Sequence, residues 1–211
     1  MVRLFLIRHG ETLANREFRY IGSRDDALSE TGEMQAAQLG TALAPLPIAT
    51  VYSSPLQRAR VTAEAIAAPH KLEVQLASEL RENDYGAWEG LSHAEVLARG
   101  AEEARLLAAW EKDATVAPPG GESFADLYQR VRAFVDQLAS THAGKSIALV
   151  SHVGPIKVLL AAALDTPISA SFRVFLDPAT ISVIDWHTSG RTLIRLVNSH
   201  AHLGWTRARW M

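Results

Sequence analysis

Val2-Arg-Leu-Phe-Leu-Ile7 runs directly into Arg8-His9-Gly10-Glu11-Thr12 at the start of the chain. A run of this length, apolar apart from Arg3, reads as a buried strand. The charged pair and the glycine stop it. In an open α/β sheet, ligands bind beyond the carboxyl ends of the strands, and that is where Arg8 and His9 fall. Arginine offers a planar fork of donors suited to phosphate or carboxylate. Histidine can be neutral at pH 7 and then carries a nucleophilic ring nitrogen. The pair suggests a nucleophile beside an anion clamp. On these residues alone, an ordinary strand end with two solvated side chains is an equally open reading.

The pattern recurs. Ser146-Ile-Ala-Leu-Val150 is a second apolar strand, and it ends in Ser151-His152-Val-Gly154-Pro155. Pro155 is expected to open a helix carrying Leu159, Leu160 and Leu164, and free N–H groups at a helix start attract anions. Between the two histidines, Thr50-Val-Tyr52 reads as a short strand. Ser53-Ser54-Pro55 follows as a serine cap with proline at the first helical position. That places Arg58 in the first turn. A cation gains little from a helix N-terminus, so Arg58 could serve a bound anion, although taken alone a solvated surface arginine is the commoner reading, and Arg60 is the decoy.

The remaining elements alternate. Thr31 to Ala44 reads as a helix with an apolar stripe that includes Met34, Leu39 and Leu43, ended by Pro45 and Pro47. Leu72 to Leu76 is a partly exposed strand. Glu79-Leu-Arg-Glu-Asn-Asp-Tyr-Gly-Ala-Trp-Glu-Gly90 is a carboxylate-rich loop of the kind that places an acid in a cleft. Ser92-His-Ala-Glu95 is a capping box, and two short helices separated by Gly100 follow. Residues 91–121 together read as a helical lid insertion over the strand ends. Ser123 caps a helix running to about Ser140. Ala179–Trp186 and Arg191–Val197 read as a hairpin turning at Ser189-Gly190. No repeat or linker interrupts the chain, so residues 1–211 are read as a single domain.

Composition narrows the function classes. The chain has 211 residues, 48% hydrophobic and 21% charged, with Lys+Arg 21 against Asp+Glu 23. These are the proportions of a soluble globular protein. A net charge of −2 lacks the basic excess of a nucleic-acid or membrane-surface binder. With no cysteine, disulfides, thiol nucleophiles and cysteine metal sites are excluded. Neither a leader peptide nor a membrane span is evident, so the expected location is cytoplasmic.

Phosphoryl transfer needs positioning, charge neutralisation, an attacking atom and a proton for the leaving oxygen. Arg8, His9, Arg58, His152 and an acid could supply all of these without a metal. Candidate acids are Glu82, Glu11, Asp84 and Glu89. A carboxyl that serves as the acid needs a raised pKa, which burial among Tyr85 and Trp88 would provide. The competing metal site would use His200 and His202 with Asp185 or His187, although nothing else completes a zinc shell.

Arg8-His9-Gly10-Glu11-Thr12 resembles the signature of the histidine phosphatase superfamily, also called phosphoglycerate-mutase-like. Ser53-Ser54-Pro55-Leu56-Gln57-Arg58 resembles the second arginine motif of that family. Leu80-Arg-Glu82-Asn-Asp-Tyr85-Gly86 is similar to its acid loop, and Val150-Ser151-His152-Val-Gly154 to its second histidine motif. Gly120-Gly121-Glu122-Ser123 is also typical. The resemblance covers the chain nearly end to end. It implies an α/β fold, a three-layer α/β/α sandwich around a mostly parallel six-stranded mixed sheet. It implies His9 as nucleophile, Glu82 as proton donor and acceptor, and Arg8, Arg58 and His152 as phosphate contacts. It implies no cofactor.

Thr12 and Asn15 match positions lining the phosphate pocket. Tyr20, Ile21, Gly22, Ser123 and His202 are expected to face the substrate, and Arg16 or Arg19 could hold a carboxylate. A cofactor-dependent phosphoglycerate mutase carries a longer, more basic insertion. Here residues 91–121 hold Arg99, Arg105 and Lys112 against Glu95, Glu102, Glu103, Glu111 and Asp113, three basic to five acidic. That favours a phosphatase acting on a small phosphorylated metabolite. Asn198-Ser-His-Ala-His202 looks like the tail of metal-independent phosphoserine phosphatases, and more loosely like that of α-ribazole phosphate phosphatases. A non-catalytic phospholigand-binding domain is the alternative from another class. The tail from Trp205 to Trp210 could dock on the core or on a second copy in a homodimer.

Overall fold

The computed structural model describes residues 1–188 and 192–204. Six strands form one sheet in the order β3-β2-β4-β1-β5-β6. They are β1 (Val2–Arg8), β2 (Ile48–Ser53), β3 (Val74–Leu76), β4 (Ser146–Ser151), β5 (Ile181–Trp186) and β6 (Leu193–Ser199). Neighbours among β3, β2, β4 and β1 pair in parallel, whereas β5 runs against β1 and β6 against β5. The turn expected at Ser189-Gly190 lies outside the described residues, as does the tail from Trp205.

Side chains alternate across β1, as a period of two requires. Leu4 and Leu6 face one core, shared with Ile147 and Leu149 of β4. Helices α6 (Phe124–Thr141) and α7 (Val153–Ala163) cover it, through Leu127, Val131 and Val135, and Ile156, Leu159 and Leu160. Phe5, Ile7, Ala148 and Val150 face the other core, together with Leu39, Leu43, Ala63 and Ile66. These last come from α2 (Glu30–Leu43) and α3 (Gln57–Ala67). Helices on both faces of a mostly parallel, two-sided apolar sheet make the three-layer α/β/α sandwich that the resemblance implies.

Several boundaries differ from the sequence reading, each for a local reason. α2 starts at Glu30 because Ser29, not a later residue, accepts the Gly32 N–H as its cap. The buried face then falls on Gln35, Ala36, Leu39 and Leu43, leaving Met34 53% exposed. α3 starts at Gln57, and Leu56 occupies the cap position with no side-chain bond. The Ser54 hydroxyl meets the Leu56 N–H and His152 instead. α7 begins at Val153, ahead of Pro155, with His152 as its cap residue.

Two short helices, α4 (His93–Leu97) and α5 (Ala101–Trp110), occupy the excursion after the carboxylate loop. The Ser92–Glu95 capping box forms as expected. Val96, Leu107 and Trp110 bury these helices against the main core. Trp110 stacks edge-on to Trp88 at 5.7 Å and against Phe172 at 5.4 Å. The segment read as a lid is therefore packed onto the body. No helix among the described residues is long and apolar enough to cross a membrane.

Candidate active site

Register brings the two histidines together. In the β1–β4 pairing Arg8 lies opposite Ser151, so the next residues, His9 and His152, leave adjacent strand ends side by side. The His9 N–H donates to the Ser151 carbonyl at 3.0 Å. The two imidazoles meet edge to face with centroids 5.0 Å apart. His9 is 3% exposed and His152 is fully buried.

His9 Nδ1 lies 2.6 Å from the Gly10 carbonyl oxygen. A carbonyl only accepts, so Nδ1 carries the proton and Nε2 keeps its lone pair. Burial pushes the His9 pKa well below the ordinary histidine value, with the charges of Arg58 and Arg8 adding to the effect. The ring is thus neutral at pH 7, with a bare nitrogen. His152 Nε2 meets the Ser54 hydroxyl at 2.8 Å, while its buried Nδ1 has no partner among the described residues. Burial holds its pKa well below the ordinary value too, and the Arg58 charge adds to the effect. Ser54 was read as a helix cap; its link to His152 spans 98 positions and leaves no local trace.

Arg8 and Arg58 are both buried. Arg8 Nη1 donates to the Leu176 carbonyl at 2.6 Å. Arg58 sits in the first turn of α3 and donates to the carbonyls of Arg24 at 2.6 Å and Gly22 at 3.0 Å. Those bonds draw the Tyr20–Asp26 segment over the strand ends. Glu89 secures it from the other side, accepting the N–H of Gly22 at 2.8 Å and of Arg24 at 3.2 Å. A Cβ on Gly22 would lie 2.1 Å from the Asn83 carbonyl oxygen, so only glycine lets the segment approach the carboxylate loop so closely. Arg60 points out to Glu64 and takes no part.

Among the candidate acids, Glu82 is buried at the strand ends. Its Oε1 accepts the N–H groups of Asn83 and Gly154, both at 2.9 Å. Burial raises its pKa, partly opposed by those bonds and by Arg58 and Arg8. With Oε1 occupied as an acceptor, Oε2 is the oxygen that can carry a proton. The charges of Arg8 and Arg58 act on His9, His152 and Glu82 alike. Arg130 of α6 braces the loop through the carbonyls of Glu79, Arg81 and Glu82 and an ion pair with Glu122. Nothing in the sequence marked this helical arginine as a support. The decoys are engaged elsewhere. Glu11 accepts from Arg16 at 2.7 Å and Ser29 at 3.1 Å, and exposed Asp84 accepts the Gly86 N–H.

Gly154 packs directly against the acid. A Cβ there would lie 2.4 Å from Glu82 Oε1 and 2.9 Å from Leu127 Cδ2. Both are ends of movable side chains, and alanine favours a helix over glycine by about 1 kcal/mol. Gly154→Ala is therefore expected to keep thermal stability within about 1 kcal/mol while displacing the carboxyl. Misplacement on that scale costs roughly 10- to 100-fold in kcat/KM. Full activity in a folded variant would show that the Gly154 contact does not position the acid.

The other expected substrate contacts divide. Thr12 and Asn15 pair in a capping box around α1 (Leu13–Arg16). Tyr20 stacks on Tyr85 at 5.1 Å, and Ile21 is buried beside Gly22. Ser123 is taken up as the cap of α6, donating to Asp126 at 2.6 Å. His202 bonds the Ala179 carbonyl at 3.0 Å and lines a small cavity with Ala37 and Ala42. It touches the site only through the backbone, since the Ala179 N–H donates to the His9 carbonyl. Arg16 pairs with Glu11, and Arg19 with Glu17 and Glu95. Asp185, offered as a metal ligand, lies between Arg3 and Arg195. Among the described residues no three His, Asp or Glu side chains converge as a metal shell. A cleft of about 760 Å³ lies over Leu13–Thr31 but includes none of the strand-end groups; one of about 410 Å³ opens on Glu82.

The same arrangement has known counterparts. A model of the histidine phosphatase superfamily (branch 1) matches residues 4–199. Bifunctional protein Rv2228c of Mycobacterium tuberculosis is 41% identical over 202 residues, which are 95% of this chain and 55% of that protein. The chain thus spans about half the length of that relative. Phosphoserine phosphatase 1 of Hydrogenobacter thermophilus is 35% identical over 97% of this chain and 95% of its own. The solved mycobacterial glucosyl-3-phosphoglycerate phosphatase Rv2419c complexed with VO3 superposes with a TM-score of 0.85 at 34% identity, covering 93% of this chain and 99% of that one. The chain belongs to the histidine phosphatase superfamily.

Proposed function

We propose that the protein is a phosphoric monoester hydrolase that works through a phosphohistidine on His9. The observation that carries this reading is the His9 tautomer: Nδ1–H is committed to the Gly10 carbonyl, which leaves a bare Nε2 on a ring that feels the charges of Arg58 and Arg8. Nε2 attacks phosphorus, and the bond from phosphorus to the ester oxygen breaks. Glu82 gives its proton to that oxygen, and the alcohol leaves. Water then attacks the phosphohistidine, the P–N bond breaks, and the water proton goes to Glu82. This restores a neutral His9 and releases inorganic phosphate.

Arg8 and Arg58 neutralise the equatorial oxygens, the part a metal plays in other phosphoryl transfers, and neutral His152 can donate a hydrogen bond beside them. Thr12, Asn15 and Gly22 shape the pocket. The substrate is a small phosphorylated metabolite, with phosphoserine first among the candidates. The acidic excess across residues 91–121 favours water over a second phosphate ester as acceptor.

The test is release of phosphate from p-nitrophenyl phosphate, phosphoserine, 3-phosphoglycerate and α-ribazole phosphate, each with and without excess chelator. Turnover that survives the chelator is expected. Loss in chelator would point to a metal site instead. Turnover of none of them, with phosphate still bound, would identify a phospholigand-binding domain. Phosphate exchange between phosphoglycerates would identify a mutase.

A further inference from the structure

Lys157 lies one turn beyond Gly154 on α7. Residues three apart share a helix face, and the Gly154 N–H is bonded to Glu82 Oε1. Helical side chains lean toward the N-terminus, which for α7 is the end that meets the strand ends. The charges that act on the ammonium are those of Glu82 and Arg8. It is half-buried and has no hydrogen bond or ion pair among the described residues. The arginines at the rim differ: Arg16, Arg19, Arg24 and Arg130 are all paired with carboxylates. Burial lowers the Lys157 pKa to about 8, with Glu82 holding it up, so the group is mostly charged at pH 7. An unpaired ammonium held this close to a clustered active site is costly unless an anion joins it.

We propose that Lys157 is a substrate-binding residue that takes a carboxylate carried by the leaving alcohol, making the enzyme selective for phosphate esters of hydroxy acids. The placement follows from the roles proposed above, on which this inference rests. Glu82 protonates the ester oxygen, so what lies beyond Glu82 meets the alcohol and not the transferred phosphoryl group. Tyr85, three positions along the same loop, is buried, and the charges of Glu82 and Arg8 both act on its hydroxyl. A single ammonium matches the single charge of a carboxylate. A second phosphate would call for further arginine forks, and Arg16, Arg19, Arg24 and Arg130 are committed to carboxylates. A neutral sugar alcohol would leave the ammonium unanswered.

3-Phosphoglycerate and glycerol 3-phosphate differ at one carbon, carboxylate against hydroxymethyl, and serve as the probe pair. The wild type is expected to favour 3-phosphoglycerate in kcat/KM. Lys157→Met keeps the stem packing and should lower the ratio of the two kcat/KM values by roughly 10- to 100-fold, the size of one charge-assisted bond. Lys157→Arg should restore much of it. A ratio that stays within about threefold, or an equal fall for both esters, overturns the subsite, because a structural lysine or one acting only through Glu82 predicts those outcomes. The same ratio measured as calorimetric binding to His9→Ala, with and without Lys157→Met, needs no turnover. Binding that discriminates in an inactive wild type would keep the subsite and reject the hydrolase. Turnover without discrimination would do the reverse.

Discussion

Replacing His9 with alanine is expected to abolish turnover of every phosphate ester, by about 10⁴-fold or more in kcat, because no other group on the site can accept the phosphoryl group in line. Arg8, Arg58 and His152 remain in the variant, so phosphate or vanadate should still raise its melting temperature through binding to the folded state. Rapid quenching of the wild type should trap an acid-labile phosphoryl group on His9. A variant that retains more than a tenth of the activity, or label found on His152, would remove His9 from its role. The geometry argues for His9 over its neighbour. His152 has one ring nitrogen committed to Ser54 and is fully buried as the cap residue of α7. His9 faces it with Nδ1 fixed on Gly10.

The second large effect is expected at the acid. Glu82→Gln should lower kcat/KM for alkyl phosphates by roughly 10²- to 10⁴-fold, the usual worth of general acid catalysis. The loss should be much smaller with p-nitrophenyl phosphate, whose leaving group departs without a proton. Glu11→Gln should instead weaken the pairing with Arg16 and Ser29 and show itself in stability. Equal losses on both ester types in Glu82→Gln would make Glu82 a structural carboxylate.

The pH profile follows from the same burial. The reactive free enzyme has Glu82 protonated and His9 neutral. Burial raises the Glu82 pKa and lowers that of His9. The kcat/KM for an alkyl phosphate should therefore fall as pH rises through the raised Glu82 value, and Glu82→Gln should lose that limb. Stability is linked in the same way. Above the unfolded carboxyl value the folded state holds the Glu82 proton more tightly than the unfolded chain, so its contribution falls as pH rises through that window. Below the ordinary histidine value the unfolded chain takes up protons that buried His9 and His152 refuse, so stability also falls toward acid. Thermal unfolding across pH 4 to 8 in wild type and Glu82→Gln separates the two slopes.

Local order along the chain was legible where the physics is local. The apolar run of β1 and the charged stop after it, the Ser92–Glu95 capping box and the Ser123 cap each depend on residues within a few positions. The family resemblance implied a layered α/β sheet, and a strand end is where such a sheet exposes its ligand groups. Arg8, His9, Arg58 and His152 were therefore recognisable from position and residue type. Glu82 was singled out from other acids by the resemblance; its burial against Gly154, 72 positions away, came only with the fold.

Other expectations failed where long-range contacts override local preference. Ser54 looked like a cap, but His152 holds its hydroxyl. Met34 suited the apolar stripe of α2, yet the packing of α2 on α3 buries Gln35 and Ala36 in its place. His202 reaches only the Ala179 backbone. From the sequence alone came the elements, the order of the motifs and the chemistry each motif can perform. Only the tertiary structure decided which polar groups share a buried volume, and so which histidine nitrogen is bare, which carboxyl has its pKa raised and which cation stands unpaired. Those properties arise from desolvation and contacts between strand ends far apart in the chain, and no local pattern encodes them.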